Sequence, residues 1–288
     1  ITYNPGWRDS ITSYLRRKFP ETAFEFINAG IPSLGSLPDA FRAYNDVFSK
    51  EKIDLLFVEA AVNDRTNGYP ASVQIRAMEG IVRQAKQVNP ATDIVFMYFV
   101  DPDKINDYNK GMLPDEIMNH EKVAMNYDIP SVNLAKEVTE RINNKEFTWE
   151  QDFIDLHPSP FGQQVYYRSI SDLLENCWNK TFSPVSGREI LPSALDDFNY
   201  DKGRLVEVTG KDETDGWIYE EKWAPSDKAG TREGYVNVPM LTGNTPGRIL
   251  KFRFRGSAVG IAIAAGPDAG IIEYRIDNGK WESMDLSI

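Results

Sequence analysis

The sequence predicts an α/β domain with a parallel sheet layered between helices, followed by an all-β domain. Three observations predict this. Helical and strand-like patterns alternate up to about residue 182. Two strand-like runs, 53–60 (IDLLFVEA) and 93–100 (DIVFMYFV), are almost continuously apolar, as in strands buried on both faces. From residue 183 short strand-like runs follow one another with only turn residues between them. The expected domains are therefore 1–182 and 183–288, with the boundary in 180–188.

The elements follow in order. Trp7, Ile11, Tyr14, Leu15 and Phe19 recur at helical spacing over 7–19, and Pro20 ends that helix. Residues 23–28 (AFEFIN) read as a short aromatic strand with Gly30 just beyond it. A helix over 38–49 turns Phe41, Tyr44, Val47 and Phe48 to one side. The buried strand 53–60 comes next, then a helix over 71–88 that stops before Pro90, then the strand 93–100. Helix 114–127 buries Ile117, Val123 and Ala124; a short strand 130–134 and helices 135–143 and 161–178 complete the domain. In the β domain, strands are expected at 205–209, 217–223, 234–239, 249–255, 259–264 and 271–276. The last meets 281–286 across Asp277-Asn278-Gly279-Lys280, and Asn-Gly is a strong hairpin signal. The run KFRFR at 251–255 alternates with period two, so one of its faces is buried, as in a sandwich or jelly-roll-like domain.

Composition narrows the function. The net charge of −11 repels a phosphate backbone, so no nucleic-acid partner is expected. No run approaches the roughly 18 apolar residues of a membrane helix. Cys177 is the only cysteine, so no intrachain disulfide is possible. His120 and His157 are the only histidines, too few for a metal site built on several His or Cys ligands; no metal and no cofactor is expected.

In a parallel α/β sheet, ligands bind beyond the carboxyl ends of the strands. Three segments there carry chemistry: 28–32 (NAGIP), 61–64 (AVND) and 155–162 (DLHPSPFG). Gly30 lets a backbone N–H approach an oxyanion, Asn63 offers a neutral amide donor, and His157 is a base near neutrality. Each residue has a plainer reading as well. Gly30 serves a turn, Asn63-Asp64 cap a helix or form an Asx turn, and His157 is an ordinary loop histidine. His120 lies in a helical pattern (NHEKVAMNY) and is expected to be structural, nearly silent in turnover when replaced.

Together these blocks resemble the SGNH (GDSL-type) hydrolase superfamily over roughly residues 1–178. NAGIPSLGS is similar to its second block, FVEAAVND to its third and DLHPSPFGQ to its last. The resemblance implies a three-layer, flavodoxin-like domain and a serine hydrolase acting on ester bonds. Gly30 and Asn63 would form the oxyanion hole and His157 would be the general base. Ala61 stands where the family usually has Gly, and Ile154 where it has the acid three residues before the histidine. Asp155 and Asp152 are the nearby carboxylates, and Asp155 is favoured as catalytic partner of His157. Ile1-Thr2 looks like the residues that follow the family's serine, which would stand directly before Ile1 and put Ile1 within about 10 Å of His157. Both ends of the sequence read as cut, and the β domain as incomplete.

SGNH domains joined to a β-sandwich occur among bacterial carbohydrate esterases, which implies an O-acyl, foremost O-acetyl, ester on a sugar as substrate, and export from the cell although the sequence holds no signal segment. Trp217, Tyr219, Trp223 and Trp281 are candidates for stacking on sugar rings, or else core residues of the β domain. The alternatives are a hydrolase of another small ester, lysolipid or thioester, and a non-catalytic glycan-binding protein on the same scaffold. The oligomeric state is left open.

Overall fold

Strands β1 (Leu55–Val58), β2 (Asp93–Met97) and β3 (Ser131–Val132) form a parallel sheet in that order. They belong to a computed structural model that describes residues 5–179, 191–206, 213–226, 236–266 and 269–287. Residues 94–100, which include most of β2 and its continuation, are all 4% exposed or less. Successive strand residues point to opposite faces, so helices cover both.

The helices are α1 (Trp7–Lys18), α2 (Ser36–Ala43), α3 (Ala61–Thr66), α4 (Ala71–Val88), α5 (Pro102–Asn109), α6 (Asp115–Asn126), α7 (Leu134–Asn143) and α8 (Pro160–Trp178). α1 packs on α8, α4 on both α2 and α6, and α5 on α7. Trp7 locks α1 onto the sheet, its ring centroid 6.0 Å from that of Phe57 and 5.8 Å from that of Phe99.

The structure departs from the expected elements in three places. Residues 23–28 carry no strand, because no ladder partner lies beside them among the described residues. Two short helices, α3 and α5, directly follow the first two strands. The helix expected over 38–49 is α2 continued by a π-helical segment, Tyr44–Phe48.

The chain divides into two compact units at Val206/Glu207. The boundary expected at 182/183 falls outside the described residues. Residues 191–206 form a strap on the first unit, fixed to α4. The buried Glu79 carboxylate accepts from Leu195 N (2.6 Å), Asp196 N (3.0 Å) and Tyr127 Oη (2.7 Å). Arg76 pairs with Asp196 at 2.7 Å, and Gln84 Nε2 donates to Tyr200 O at 2.9 Å. Gly80 lies against the Tyr200 backbone, where an added Cβ would be 2.7 Å from Tyr200 C.

The second unit is antiparallel β. β4 (Glu213–Asp215) pairs with β7 (Ile249–Lys251), β5 (Ile218–Trp223) with β6 (Val238–Thr242), and β8 (Ile271–Tyr274) with β9 (Glu282–Asp285). The β8–β9 hairpin is the one that Asn278-Gly279 predicted, with Asp277 at φ 50°. The described strands make three two-stranded ladders, and residues 259–264 carry no strand.

Candidate active site

The expected site residues lie on three segments: Gly30 on the first, Asn63 on the second, and Asp155 with His157 on the third. The first runs from residue 28 to α2. Gly30 N donates to Asn28 Oδ1 at 3.2 Å, so the N–H expected to face an oxyanion is held in an Asx turn here. The same loop passes through Ser33 at φ 65°, a left-handed conformation uncommon for a residue with a Cβ.

The second is β1 running directly into α3. Asn63 is the third residue of that helix and half-buried, and its neighbour Asp64 is fully buried. Glu59, just past β1, accepts from Val62 N at 3.2 Å and so caps the amino end of α3. Burial pushes the Glu59 carboxyl up to about 7, against the lowering effects of the Val62 N–H and Lys104.

α3 grips the first loop. Asp64 Oδ1 accepts from Ser36 N at 2.6 Å, and Asn67 Nδ2 donates to Ser33 O at 3.2 Å. Gly35 permits this approach: a Cβ there would be 2.4 Å from Asp64 Oδ1 and 3.0 Å from the Tyr69 ring. The loop bearing Gly30 and the helix bearing Asn63 are thus joined by hydrogen bonds. Sequence reasoning missed this role of Asp64. Its partner is His120 on α6, with Nε2 2.8 Å from Asp64 Oδ2 and both side chains at 0% exposure.

The third loop carries His157 between a π-helical segment (Trp149–Phe153) and α8. Its base is clamped: Ser159 N donates to Phe153 O at 3.0 Å, and Ser159 Oγ donates to Asp152 O. Ser159 also caps α8, accepting from Gly162 N at 3.3 Å. Ile154 enters the loop at φ 80°, ψ −62°, a γ-turn conformation that a β-branched residue rarely adopts. One turn into α8, Gln163 Oε1 accepts from Trp7 N at 2.9 Å, which brings the amino ends of α1 and α8 together.

His157 and Asp155 are adjacent in space and largely exposed, at 58% and 62%. Asp155 Oδ1 lies 3.8 Å from His157 Nδ1 and accepts from the His157 backbone N–H at 2.5 Å. Asp152 is committed elsewhere, since its Oδ2 accepts from Thr148 N (2.7 Å) and Thr148 Oγ1 (3.1 Å). Ile1-Thr2 and the serine expected before them lie outside the described residues. No cluster of three or more His, Cys, Asp or Glu side chains suited to a metal ion occurs among the described residues. A shallow groove of about 340 Å³ between α1 and α8, lined by Ser10, Ser13 and Gln164 among others, contains none of the expected site residues.

A parallel sheet covered by helices, with the Gly30 loop tied to the helix that carries Asn63, defines an α/β protein. The family model for GDSL-like lipases/acylhydrolases matches residues 1–165, and this chain belongs to that family. The crystal structure of a two-domain esterase active on acetylated mannans is similar, with a TM-score of 0.63 at 21% identity over 76% of this chain and 56% of that one. Its co-crystal with mannopentaose gives 0.60 at 21% identity, over 75% and 54% of the two chains. An α/β hydrolase from the metagenome of Lake Arreo, Spain, gives 0.50 at 19% identity, over 61% and 83%. At these identities the likeness is one of fold. The chain spans a little over half the length of the mannan esterase. No curated protein matches the sequence.

Proposed function

We propose that this chain belongs to a serine esterase that removes acyl groups, foremost acetyl, from carbohydrate. What supports the reading is the family model matched over residues 1–165, together with the ties that join the Gly30 and Asn63 segments and the clamp at the base of the His157 loop. The attacking serine belongs to the family's first block, expected directly before Ile1. His157 takes its proton as the serine oxygen bonds to the ester carbonyl carbon. The carbonyl oxygen becomes an oxyanion held by the Gly30 N–H, freed from Asn28, and by the Asn63 amide. Collapse breaks the bond to the sugar oxygen, which leaves with the proton from His157. Water, deprotonated by the same histidine, then releases the acid and restores the serine.

Asp155 fixes the backbone that presents His157 and places a carboxylate near its ring. The β unit offers exposed aromatic surface for sugar: Tyr219 is 43% exposed, and Trp281 is 59% exposed with the Arg275 guanidinium 4.8 Å from its ring centroid. Export from the cell fits a polysaccharide substrate. Acetate release from acetylated glycans by the full-length protein, lost in His157→Ala, is the expected result. Turnover of p-nitrophenyl acetate without acetate release from any acetylated glycan would point to another small ester.

A further inference from the structure

We infer that the buried Asp64–His120 pair, together with Asn67, is a positioning device that sets the oxyanion hole. It holds the loop bearing Gly30 at a fixed distance from the helix bearing Asn63. The inference rests on the oxyanion-hole reading above, and it gives His120 a role beyond the purely structural one expected from its helical pattern.

The argument begins with burial. A carboxylate and an imidazole at 0% exposure are costly to desolvate, and a hydrophobic pair in their place is often no less stable. Stability alone is therefore a weak reason for the pair. Its geometry serves two segments at once. Asp64 Oδ1 receives the Ser36 amide at 2.6 Å, and Oδ2 receives His120 Nε2 at 2.8 Å. With both oxygens engaged the carboxylate cannot rotate about its terminal bond without losing a partner. Its direction is thus referred to α6, an element outside the three loops of the site. His120 itself is wedged beside Tyr98 at the end of β2, with ring centroids 6.1 Å apart.

The loop needs such a brace. Residues 28–35 lie outside any helix or strand, and Ser33 sits in the left-handed region. The described ties from α3 to this loop are Asp64 to Ser36 and Asn67 to Ser33, one on each side of Gly35. Gly30 is five residues upstream of Gly35, and Asn63 is the residue before Asp64. A shift of Asp64 therefore moves the two donors relative to each other. An oxyanion hole requires both donors at about 3 Å from one point that is occupied only in the transition state. Loosening the brace should therefore slow turnover while leaving ground-state binding nearly unchanged.

The test uses the full-length protein with p-nitrophenyl acetate, each variant assayed well below its melting temperature. His120→Ala should lower kcat by about 10- to 100-fold, the scale of a misplacement near 1 Å, with KM close to the parent's. His120→Gln, whose amide reaches the place of Nε2, should recover most of the loss. Should His120→Ala not fold, the exposed Asn67→Ala, which releases Ser33 without entering the core, should show the same split between kcat and KM. Asn63→Ala and His157→Ala run beside them. Parental kcat in a folded His120→Ala, or in Asn67→Ala where it stands in, alongside an impaired Asn63→Ala overturns the inference alone. So does a His120→Gln variant no faster than His120→Ala. An inactive parent, or full turnover in His157→Ala, overturns the esterase reading and this inference with it.

Discussion

Asp155 holds His157 by the backbone more closely than by the ring: its Oδ1 is 2.5 Å from the His157 amide nitrogen and 3.8 Å from Nδ1. The longer distance is an ion-pair separation and not a hydrogen bond. The carboxylate shapes the turn that presents the imidazole. Asp152 instead closes the amino end of the preceding helical turn.

The two carboxylates should therefore separate by readout. Asp155→Ala should lower kcat, by up to the roughly 10⁴ seen when a Ser-His-Asp site loses its orienting acid. Asp152→Ala should cost about 1 kcal/mol of stability, as for a lost helix cap, and leave kcat nearly parental. Steady-state kinetics and urea denaturation on both variants decide this. A larger kcat loss in Asp152→Ala would reverse the assignment.

Asn63→Ala in the full-length protein should reduce kcat by about 10²–10³, the usual cost of one oxyanion donor. His157→Ala should be slower still. A hydrolysis rate in Asn63→Ala equal to the parent's would remove the amide from the oxyanion hole.

Gly35→Ala adds a methyl 2.4 Å from Asp64 Oδ1, where the neighbours are a tied carboxylate and the Tyr69 ring. A loss of about 1–3 kcal/mol is expected from overpacking, visible as a lower urea midpoint at unchanged slope. An unchanged midpoint would mean that the loop can retreat from α3 freely.

Glu79 is fully buried and receives two backbone amides of the 191–206 strap. Glu79→Ala should leave those donors without their acceptor and cost at least about 2 kcal/mol. Proteolysis should then cut first within the strap. If the variant stays as stable and as protease-resistant as the parent, Glu79 does not anchor the strap.

Glu59 makes stability depend on pH. Its carboxyl titrates from an ordinary value of 4.5 and is pushed by burial to about 7 in the folded protein. Between those values the folded protein keeps a proton that the unfolded chain has released. Stability therefore falls as pH rises through this window and levels off above it. Asp39, raised by burial to about 6, acts in the same direction. Glu59→Gln should shrink the difference in unfolding free energy between about pH 5 and pH 8. An undiminished difference would place the titration elsewhere.

The sequence by itself determined the class of each unit and the strongest elements. The apolar runs 53–60 and 93–100 became β1 and β2, and the periodic stretch 71–88 became α4 with the expected bounds. Burial on both faces or along one stripe leaves a periodic record in the chain. The family was legible for a related reason, since its blocks around Gly30, Asn63 and His157 are short local patterns. Other features depend on partners far along the chain, and only the tertiary structure decided them. Residues 23–28 have strand character but no ladder beside them among the described residues, and a strand exists only through its neighbour. Helices α3 and α5 are too short to show a period. The pairing of Asp64 with His120, 56 residues apart, left no local mark at all. Hydrogen bonds between distant segments are specified by packing, and packing is a property of the whole fold.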